Sequence, residues 1–386
     1  MPYRVDPQLV NEFRNFGGDT VTTCFNCGNC SAVCALSEGD IVFPRRFIRL
    51  MQLGLTEKMK ESPDPWLCYY CGACSDTCPR QAEPGELMMS ARRWLTSMYD
   101  WTGISRLMYK HDYFEIIMLA LVSVVVLLLF TLPKNFGFNL LAEHPEASQS
   151  VMLQFFAPKD YVHVGDLILA ALLGVLLLSN SLRMITWVMR GANVPLSAYV
   201  SEFKELVIHL FTQKRWGKCD NVNKWGWLRH IVLVTGYATI FILVVVFLPA
   251  FQVENTAFHW TSLLGYYSTV VLLGVTTWMI SDRIRKTEQI HKHSELSDWM
   301  FPILLLLTAL TGISMHIFRL TNMAMPTYYM YVIHMMIAVP MLVIEVPFGK
   351  WAHLAYRPLS AYLQEVRKHA QPSEVKVKSF DLVPGT

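Results

Sequence analysis

The chain has 386 residues and a formal net charge of +3 at neutral pH, and 53% of its residues are hydrophobic against 16% charged. Its length favours two or three domains, and its mean hydropathy of +0.31 favours a membrane protein. The small net charge gives no indication of nucleic-acid binding. Polar residues dominate up to about residue 112, so we expect a soluble domain over residues 1–112 before an apolar remainder.

Eight of the nine cysteines form two copies of the pattern C-x2-C-x2-C-x3-C within the first domain. The first copy is Cys24, Cys27, Cys30 and Cys34, and the second is Cys68, Cys71, Cys74 and Cys78. In bacterial two-cluster ferredoxins, three cysteines of one copy and the fourth of the other hold each [4Fe–4S] cubane. The pattern therefore predicts one cluster on Cys24, Cys27, Cys30 and Cys78, and a second on Cys68, Cys71, Cys74 and Cys34.

Other uses of cysteine fit this spacing less well. Disulfides need an oxidising compartment and tolerate irregular spacing, and structural zinc sites separate two C-x2-C pairs by a long gap. The ninth cysteine, Cys219, lies apart on a polar connection, and the sequence gives it no role. Because two clusters in such a fold lie within electron-tunnelling distance of each other, we expect the domain to conduct electrons.

A membrane domain is predicted over residues 113–355, because six apolar stretches there have membrane-spanning length. The stretches are residues 113–132, 161–187, 228–249, 262–281, 299–318 and 328–348, and a cytoplasmic tail over 356–386 follows. The predicted fold is therefore all-α, with a helical two-[4Fe–4S] ferredoxin domain followed by a six-helix transmembrane bundle. The first 15 residues lack the apolar core of a signal peptide. We therefore expect the ferredoxin domain to stay on the side where the chain is made.

The distribution of basic residues predicts the orientation in the membrane. Lysine and arginine are frequent before the first span, between spans two and three, between spans four and five, and after the sixth. The opposite loops carry few, with Lys134 and Lys159 in one and Arg319 in another. The positive-inside rule then predicts a multi-pass protein of the cytoplasmic membrane with both termini cytoplasmic. Trp225 and Trp351 lie at span ends, as in an interfacial belt.

Histidines in the bilayer are candidate haem ligands, because an electron-conducting domain on a membrane domain needs a redox partner there. The candidates are His163, His230, His259, His316, His334 and His353. No C-x-x-C-H sequence occurs, so the haem is expected to be of the non-covalent b type. His230 and His353 are both predicted to lie near the cytoplasmic side of the membrane. Because they share this depth, we expect them to bind an inner haem together.

An outer haem is predicted around His334. This residue lies 19 positions before His353, or about 28 Å along one helix, so we expect a ladder of up to two haems along the sixth span. Two intervening prolines are expected to supply a kink or bulge that brings the two side chains into line. The partner of His334 stays open between His316, which depth slightly favours, and His163. His259 is placed at the outer surface.

Two parts of the chain resemble known families. The cysteine motifs, with P-R-R-F-I-R-L-M-Q-L-G between them, look like the heterodisulfide reductase C subunit. W-L-R-H-I at His230, K-W-A-H-L-A-Y-R-P-L-S-A-Y-L at His353 and V-I-H at His334 resemble the haem-ligand segments of the haem b gamma subunit of respiratory nitrate reductases. That family has a further ligand where this chain has Ile240. A fusion of the two modules resembles the C subunit of the quinone-interacting membrane-bound oxidoreductases of sulfate reducers.

The resemblance implies a function in sulfate respiration. Electrons would pass from menaquinol through haem b and two clusters to flavoprotein subunits related to heterodisulfide reductase A, with adenylylsulfate reductase downstream. Quinol oxidation needs a proton acceptor, and the intramembrane acids Asp166 and Glu345 are the candidates. Arg45, Arg46 and Arg49 form either a basic docking face or a solvated helix face.

Three other functions stay open. A catalytic disulfide reductase would need the C-C-G segments of that enzyme, which this chain lacks. A related conduit would serve sulfite reductase or a heterodisulfide reductase, and a structural anchor would carry no haem. No glycine-rich phosphate loop is visible, so nucleotide and flavin sites are expected on partner subunits.

Overall fold

The computed structural model of the protein describes residues 4–39, 41–219, 224–251, 259–287 and 291–370. The regular elements in these ranges are all helices, which confirms the predicted all-α class. Six of the helices are long and apolar enough to cross a membrane. Some of the other helices form a domain around the cysteine motifs, and the rest lie in the connections between the long helices.

Eight helices form the N-terminal domain. They are α1 (Leu9–Arg14), α2 (Asn29–Ala32), α3 (Arg45–Gln52), α4 (Thr56–Lys60), α5 (Asp64–Leu67), α6 (Ala73–Asp76), α7 (Pro84–Tyr99) and α8 (Ile104–Lys110). The side chains of Phe13, Phe47 and Trp94 are completely buried and form the centre of one hydrophobic cluster. α7 carries buried residues along nearly its whole length because other elements pack around it.

The rest of the described chain forms twelve helices. They are α9 (Asp112–Thr131), α10 (Gly137–Ala142), α11 (Lys159–Val188), α12 (Leu196–Ser201), α13 (Phe203–Thr212), α14 (Lys224–Val245), α15 (Leu248–Phe251), α16 (Trp260–Arg285), α17 (Leu296–Leu320), α18 (Ala324–Pro340), α19 (Val346–Phe348) and α20 (His353–Lys368). The candidate spans are α9, α11, α14, α16, α17, and α18 continued through α19. Large apolar side chains such as Leu121, Ile168 and Val270 are exposed on them, as lipid-facing positions are.

The sixth span changes geometry after Pro340. A π-helical turn, Met341–Glu345, separates α18 from α19, and such turns shift the register of the side chains that follow. Gly349 then has an extended backbone with φ −93° and ψ −156°. The helix therefore stops, and His353 opens the new helix α20. The expectation that one helix carries both His334 and His353 is wrong for this reason.

The helix α20 closes the junction between the two parts of the molecule. It packs against α5 and α13, and Tyr356 and Leu363 are completely buried in the same hydrophobic cluster as Phe13 and Trp94. The core of the N-terminal domain is thus completed by residues that follow the last span. The part of the predicted tail beyond residue 370 lies outside the described residues.

A buried ionic network joins the N-terminal domain to the bundle. Arg93 of α7 donates to Glu86 at 3.0 Å and pairs with Asp298, in the first turn of α17, at 3.4 Å. Lys350 also pairs with Asp298. Glu295 and Asp298 form a capping box that fixes the start of α17. Because buried charges are tolerated only with partners, the network holds α7 and α17 in one relative position.

Candidate iron-sulfur and membrane redox sites

The two cysteine motifs fold into loops of the same shape. Asn26 and Tyr70 occupy equivalent positions with φ of 57° and 54°, and Gly28 and Gly72 follow with φ of 93° and 86°. These left-handed conformations favour glycine and turn each loop into a short helix, α2 or α6. In both loops a backbone amide donates to the first cysteine sulfur at 3.3 Å. Each loop therefore directs a backbone amide at the sulfur of its first cysteine.

The first cysteine site is a cavity between the loops. Its lining includes the first three cysteines of one motif and the last of the other, Cys24, Cys27, Cys30 and Cys78. The side-chain amide of Asn29 donates to the carbonyl of Thr77 at 2.6 Å, which ties the two motifs together there. Burial, followed by the neighbouring Cys24, raises the pKa of Cys30 to about 11.

The second cysteine site contains the other four cysteines of the two motifs. Cys34 interacts electrostatically with Cys68 and Cys71, and Cys74 interacts with all three. Burial, followed by the neighbouring thiols, raises the pKa of Cys34 to about 11 and also raises the pKa of Cys74. Thiols packed in this way become thiolates readily only when a metal centre supplies positive charge.

Both sites fit a cubane better than a single ion. Within the described ranges, no three histidine, cysteine, aspartate or glutamate side chains come close enough to hold one metal ion. A [4Fe–4S] cubane instead presents four separate iron corners, each bound by one thiolate. Four cysteines around a common centre match that donor set in type and number.

Cys219 is a site residue that the sequence analysis missed. It is 7% exposed, and its thiol forms a hydrogen bond with Cys71. This hydrogen bond is the main cause that lowers the pKa of Cys71 to about 6, because a donor stabilises the thiolate. Cys219 follows α13 along the chain, far from the motifs, so no spacing rule connects it to them.

Two arginines hold the second loop. The guanidinium groups of Arg92 and Arg357 both donate to the carbonyl of Cys68, that of Arg357 at 2.7 Å. Arg357 also lies over the ring of Tyr69, 4.3 Å from its centroid. Burial, followed by the charge of Arg357, lowers the pKa of Arg92 to about 9. Because Arg357 lies one turn beyond His353 on α20, the second cysteine site adjoins the predicted inner haem ligands.

His230 of α14 and His353 of α20 face each other with ring centroids 6.3 Å apart. Two imidazoles on opposite sides of one metal ion have centroids about 6.4 Å apart, given a metal–nitrogen distance of about 2 Å and a ring radius of about 1.2 Å. Nδ1 of His353 donates to the carbonyl of Lys350. Its Nε2 is therefore left for a ligand, as is usual for metal-binding histidines.

Polar atoms around this pair fit a haem. The side-chain nitrogen of Gln213 lies 2.9 Å from Nδ1 of His230, while Oε1 of Gln213 is buried without a partner. With the amide turned over, Oε1 accepts from Nδ1–H and leaves Nε2 of His230 for a metal. Nε of Arg215 and Nε of Arg357 are also buried without an acceptor. Haem b carries two propionate carboxylates, for which buried guanidinium groups are suitable partners.

Aromatic rings link the histidine pair to the second cysteine site. Trp216 lies edge-on to His230 with 5.4 Å between centroids, and its ring is 5.3 Å from that of Tyr69. Tyr69 directly follows Cys68 in the second loop. The second cysteine site is therefore the one next to the membrane bundle.

The structure does not bring the predicted outer haem ligands together. Nδ1 of His334 lies 2.9 Å from Oγ1 of Thr311, and Nε2 of His316 lies 2.8 Å from Oη of Tyr266. Nδ1 of His163 is buried without a partner. Among the residues described, no ring contact joins His334 to His316 or to His163. Of the predicted histidine pairs, the inner one has its rings in contact in the described residues, and the outer haem stays a prediction.

The predicted proton acceptors lie in different surroundings. Asp166 lies one turn beyond His163 on α11, half-buried, and its Oδ2 has no hydrogen-bond partner. Glu345 ends the π-helical turn and is completely buried. Facing it is Glu115, in the first turn of α9. The sequence analysis did not single out Glu115, because an acid near the end of an apolar stretch resembles the polar edge of a span.

The three arginines between the motifs have local partners. Arg46 pairs with the completely buried Asp64 at 2.8 Å, and Nε of Arg45 donates to Oδ1 of Asn26 at 3.1 Å. Arg49 hydrogen-bonds within its own helix. These contacts favour a structural role for Arg46 over a docking face.

Comparisons with known proteins concern the N-terminal part. Residues 20–82 match the family described as 4Fe-4S dicluster domain. A heterodisulfide reductase C-subunit-like protein of Archaeoglobus profundus is 28% identical over 96 residues, which are 25% of this chain and 51% of that protein. The C subunit of the H(2):CoB-CoM heterodisulfide,ferredoxin reductase of Methanothermobacter marburgensis is 28% identical over 88 residues, 23% and 48% of the two chains. The iron-sulfur C subunit of the CoB–CoM heterodisulfide reductase of Methanopyrus kandleri is 30% identical over 73 residues, 19% and 38%.

The chain spans about half the length, or less, of these curated relatives. No solved structure matches it significantly. The N-terminal part is an iron–sulfur electron-transfer module like that of the heterodisulfide reductase C subunit. It is joined to six helices with the length and composition of a multi-pass membrane protein.

Proposed function

We propose that the chain is the membrane subunit of an oxidoreductase complex of the quinone-interacting type found in sulfate reducers. In this proposal it carries electrons from menaquinol through haem b and two [4Fe–4S] clusters to flavoprotein subunits related to heterodisulfide reductase A, with adenylylsulfate reductase downstream. The observation that carries the proposal is the contact between Arg357, one turn from His353, and the carbonyl of Cys68. An iron–sulfur loop thus touches the helix that presents a candidate haem ligand.

The two cysteine sites support one assignment of cysteines to clusters. We assign Cys24, Cys27, Cys30 and Cys78 to the first cluster, and Cys68, Cys71, Cys74 and Cys34 to the second, within an iron–sulfur domain over residues 1–112. Support comes from the shared cavity of the first set and the electrostatic contacts within the second. Four thiolates for each cluster satisfy the iron corners of both cubanes.

The membrane domain over residues 113–355 holds the haem. We assign His230 and His353 as its ligands through Nε2, with Gln213 orienting one ring and Arg215 and Arg357 binding the propionates. When bound, the haem supplies a one-electron carrier between quinol and the iron–sulfur domain. The rings of Trp216 and Tyr69 lie between this pair and the second cysteine site.

The first cysteine site is proposed as the exit towards soluble partners. Cys27 is exposed there, and the neighbouring Phe25 is 68% exposed. The second site, in contrast, is covered by α20. We place the iron–sulfur domain and both termini on the cytoplasmic side of the membrane, in accordance with the distribution of basic residues.

A second candidate is a related membrane conduit that serves a heterodisulfide reductase or sulfite reductase. The relatives of the N-terminal part, which are subunits of heterodisulfide reductases, favour it. The two candidates share the route through the membrane and differ in the soluble partner. Reconstitution of the full-length protein with each partner, followed by quinol-driven reduction of that partner, distinguishes them.

The proposal is tested by a count of iron, acid-labile sulfide and haem in the purified full-length chain. We expect about eight non-haem iron atoms per chain and one haem whose spectrum changes when a menaquinol analogue is added. His353→Ala should remove the haem and keep the iron–sulfur signal, whereas His369→Ala, at the exposed end of the same helix, should change neither. A wild-type chain that binds no haem would leave an iron–sulfur domain on a membrane anchor and refute the conduit.

A further inference from the structure

Two carboxyl groups face each other at the end of the bundle near the iron–sulfur domain. Glu345 is 0% exposed and Glu115 is 1% exposed, and their side chains are within hydrogen-bonding reach of each other. In the part of the chain that the structure describes, neither forms an ion pair. Both oxygens of Glu345 and Oε1 of Glu115 have no hydrogen-bond donor.

The surroundings of this pair are apolar. One hydrophobic cluster from α8, α9, α11 and the sixth span contains Met108, Leu119, Leu176, Ile344 and Phe348. Two carboxylates in such a place cannot both be ionised at a tolerable free energy, because burial and mutual repulsion both act against the second charge. One shared proton removes the difficulty, since the protonated group donates to the oxygen that otherwise lacks a donor.

The backbone is shaped to accommodate the pair. Glu345 is the last residue of the π-helical turn, and single π-helical turns are frequent at functional sites. A Cβ atom at position 349 would collide with Oε2 and with the backbone carbonyl oxygen of Glu345, so glycine suits the close approach of this turn to residue 349.

A polar route leads from the pair towards the aqueous side. Tyr109 of α8 interacts electrostatically with Glu345, Glu115, Arg93 and Asp298, and Asp112 faces Glu115. Asp298 in turn pairs with Lys350, whose side chain is 40% exposed. The titratable groups near the pair are therefore one neutral phenol, two further acids and two cations that already bind one of those acids.

We propose that Glu115 and Glu345 form a one-proton carboxyl pair that accepts the protons of quinol at the iron–sulfur end of the bundle. The inference rests on the proposed function. Oxidation of one quinol to quinone releases two electrons and two protons. The electrons enter the carriers described above, and the pair takes up the protons one at a time and passes each to water past Tyr109 and Asp298. Protons and electrons then leave on the same side, so turnover moves no net charge across the membrane.

The experiment uses the full-length protein with its cofactors and the variants E115Q and E345Q. The infrared spectrum should contain a carbonyl band of a protonated carboxylic acid that shifts in D2O, and the frequency of this band should change in both variants because the proton is no longer shared between two carboxyl groups. E345Q should also lower the initial rate of cluster reduction by a menaquinol analogue about 100-fold, the usual contribution of a general base. Reduction by dithionite should stay unchanged, and E146Q, at an exposed position of the short 3-10 helix Pro145–Ser148, should match the wild type in every measurement.

The outcomes separate the pair from the proposed function. A band whose frequency is unchanged in both variants, or a quinol-driven rate that is the same in wild type and variants, would overturn the role of the pair while the conduit stands. A wild-type protein that dithionite reduces and quinol does not would overturn the proposed function and the proton transfer together. E345D, which keeps the carboxyl group, should recover part of the rate, and an E345D rate as low as that of E345Q would count against proton transfer.

Discussion

The two cysteine loops have the same pattern and backbone shape but very different surroundings. In the first loop, Phe25 follows the first cysteine and is 68% exposed, with Arg80 over its ring. The equivalent residue of the second loop, Tyr69, lies between Arg357 and Trp216. A cysteine motif thus specifies how a loop wraps a cluster, whereas its place in an electron route depends on segments from elsewhere in the chain.

This difference gives each loop its place in the proposed route. The second loop is enclosed by α20 and by the segment that carries Trp216 and Cys219, so it faces the membrane bundle. The first loop is left open to solvent and can meet a soluble partner. Changes at five positions in the chain would break or sharpen the comparison, and the largest effects are expected at the ligands themselves.

Exchange of the fourth ligand between the motifs is tested with Cys34→Ser and Cys78→Ser. Although Cys34 belongs to the first motif, its loss should destroy the cluster of the second cysteine site, because its thiol lies beside Cys68 and Cys71. Cys78→Ser should destroy the other cluster. Electron paramagnetic resonance of the reduced protein, together with iron content, identifies which cluster is lost. Loss of the first-site cluster alone in Cys34→Ser would show that the ligands are not exchanged.

The anchoring of the second loop is tested with Arg357→Met, which keeps the length of the side chain and removes its donors. The hydrogen bond to the carbonyl of Cys68 comes from a charged and buried donor, so its loss should cost about 2 kcal/mol. Arg45→Met removes a comparable bond, to Asn26, at the exposed first loop and should cost less than about 1 kcal/mol. The temperature at which the iron–sulfur absorbance is lost should therefore fall more in Arg357→Met. Equal shifts in the two variants would contradict the difference between the loops.

The smallest expected effect concerns Cys219. Its thiol donates to Cys71, and hydrogen bonds to cluster sulfur atoms raise the reduction potential because they stabilise the more negative reduced state. Cys219→Ala should therefore lower the potential of the second-site cluster by about 20–60 mV, the equivalent of one ordinary hydrogen bond for a one-electron carrier. A redox titration followed by electron paramagnetic resonance measures this shift. Cys219→Ser retains a donor and should stay near the wild type, and a shift of the first-site cluster instead would refute the contact.

The features that could be predicted from the sequence are those defined by the spacing of residues within one segment. The eight cysteines follow one repeated pattern, and the six apolar stretches correspond to the six long helices. The pairing of His230 with His353 could be foreseen because depth in a membrane follows from position along a span. These features depend on the distance between residues along one element, which the sequence contains.

Features that depend on distant segments could not be foreseen. Cys219 and Glu115 reach their partners only through the packing of helices, and neither belongs to a recognisable motif. The prolines predict the kink or bulge that the π-helical turn supplies, whereas the extended backbone at Gly349, which separates His353 from the helix of His334, leaves no signal in the hydrophobic period. The candidate ligand residues could therefore be predicted more reliably than the residues that contact them.

The packing of α20 also has a consequence for the order in which the molecule is made. The hydrophobic cluster around Trp94 includes Tyr356 and Leu363, which leave the ribosome only after every span has been synthesised. At about 5–20 residues per second, the roughly 250 residues between α7 and α20 take tens of seconds to produce. During that interval the second loop lacks both the hydrogen bond from Arg357 and the packing of α20 over it. We therefore expect the second cluster to be completed in its site only after the spans have been inserted into the membrane. Completion of the first cluster is not expected to depend on this order.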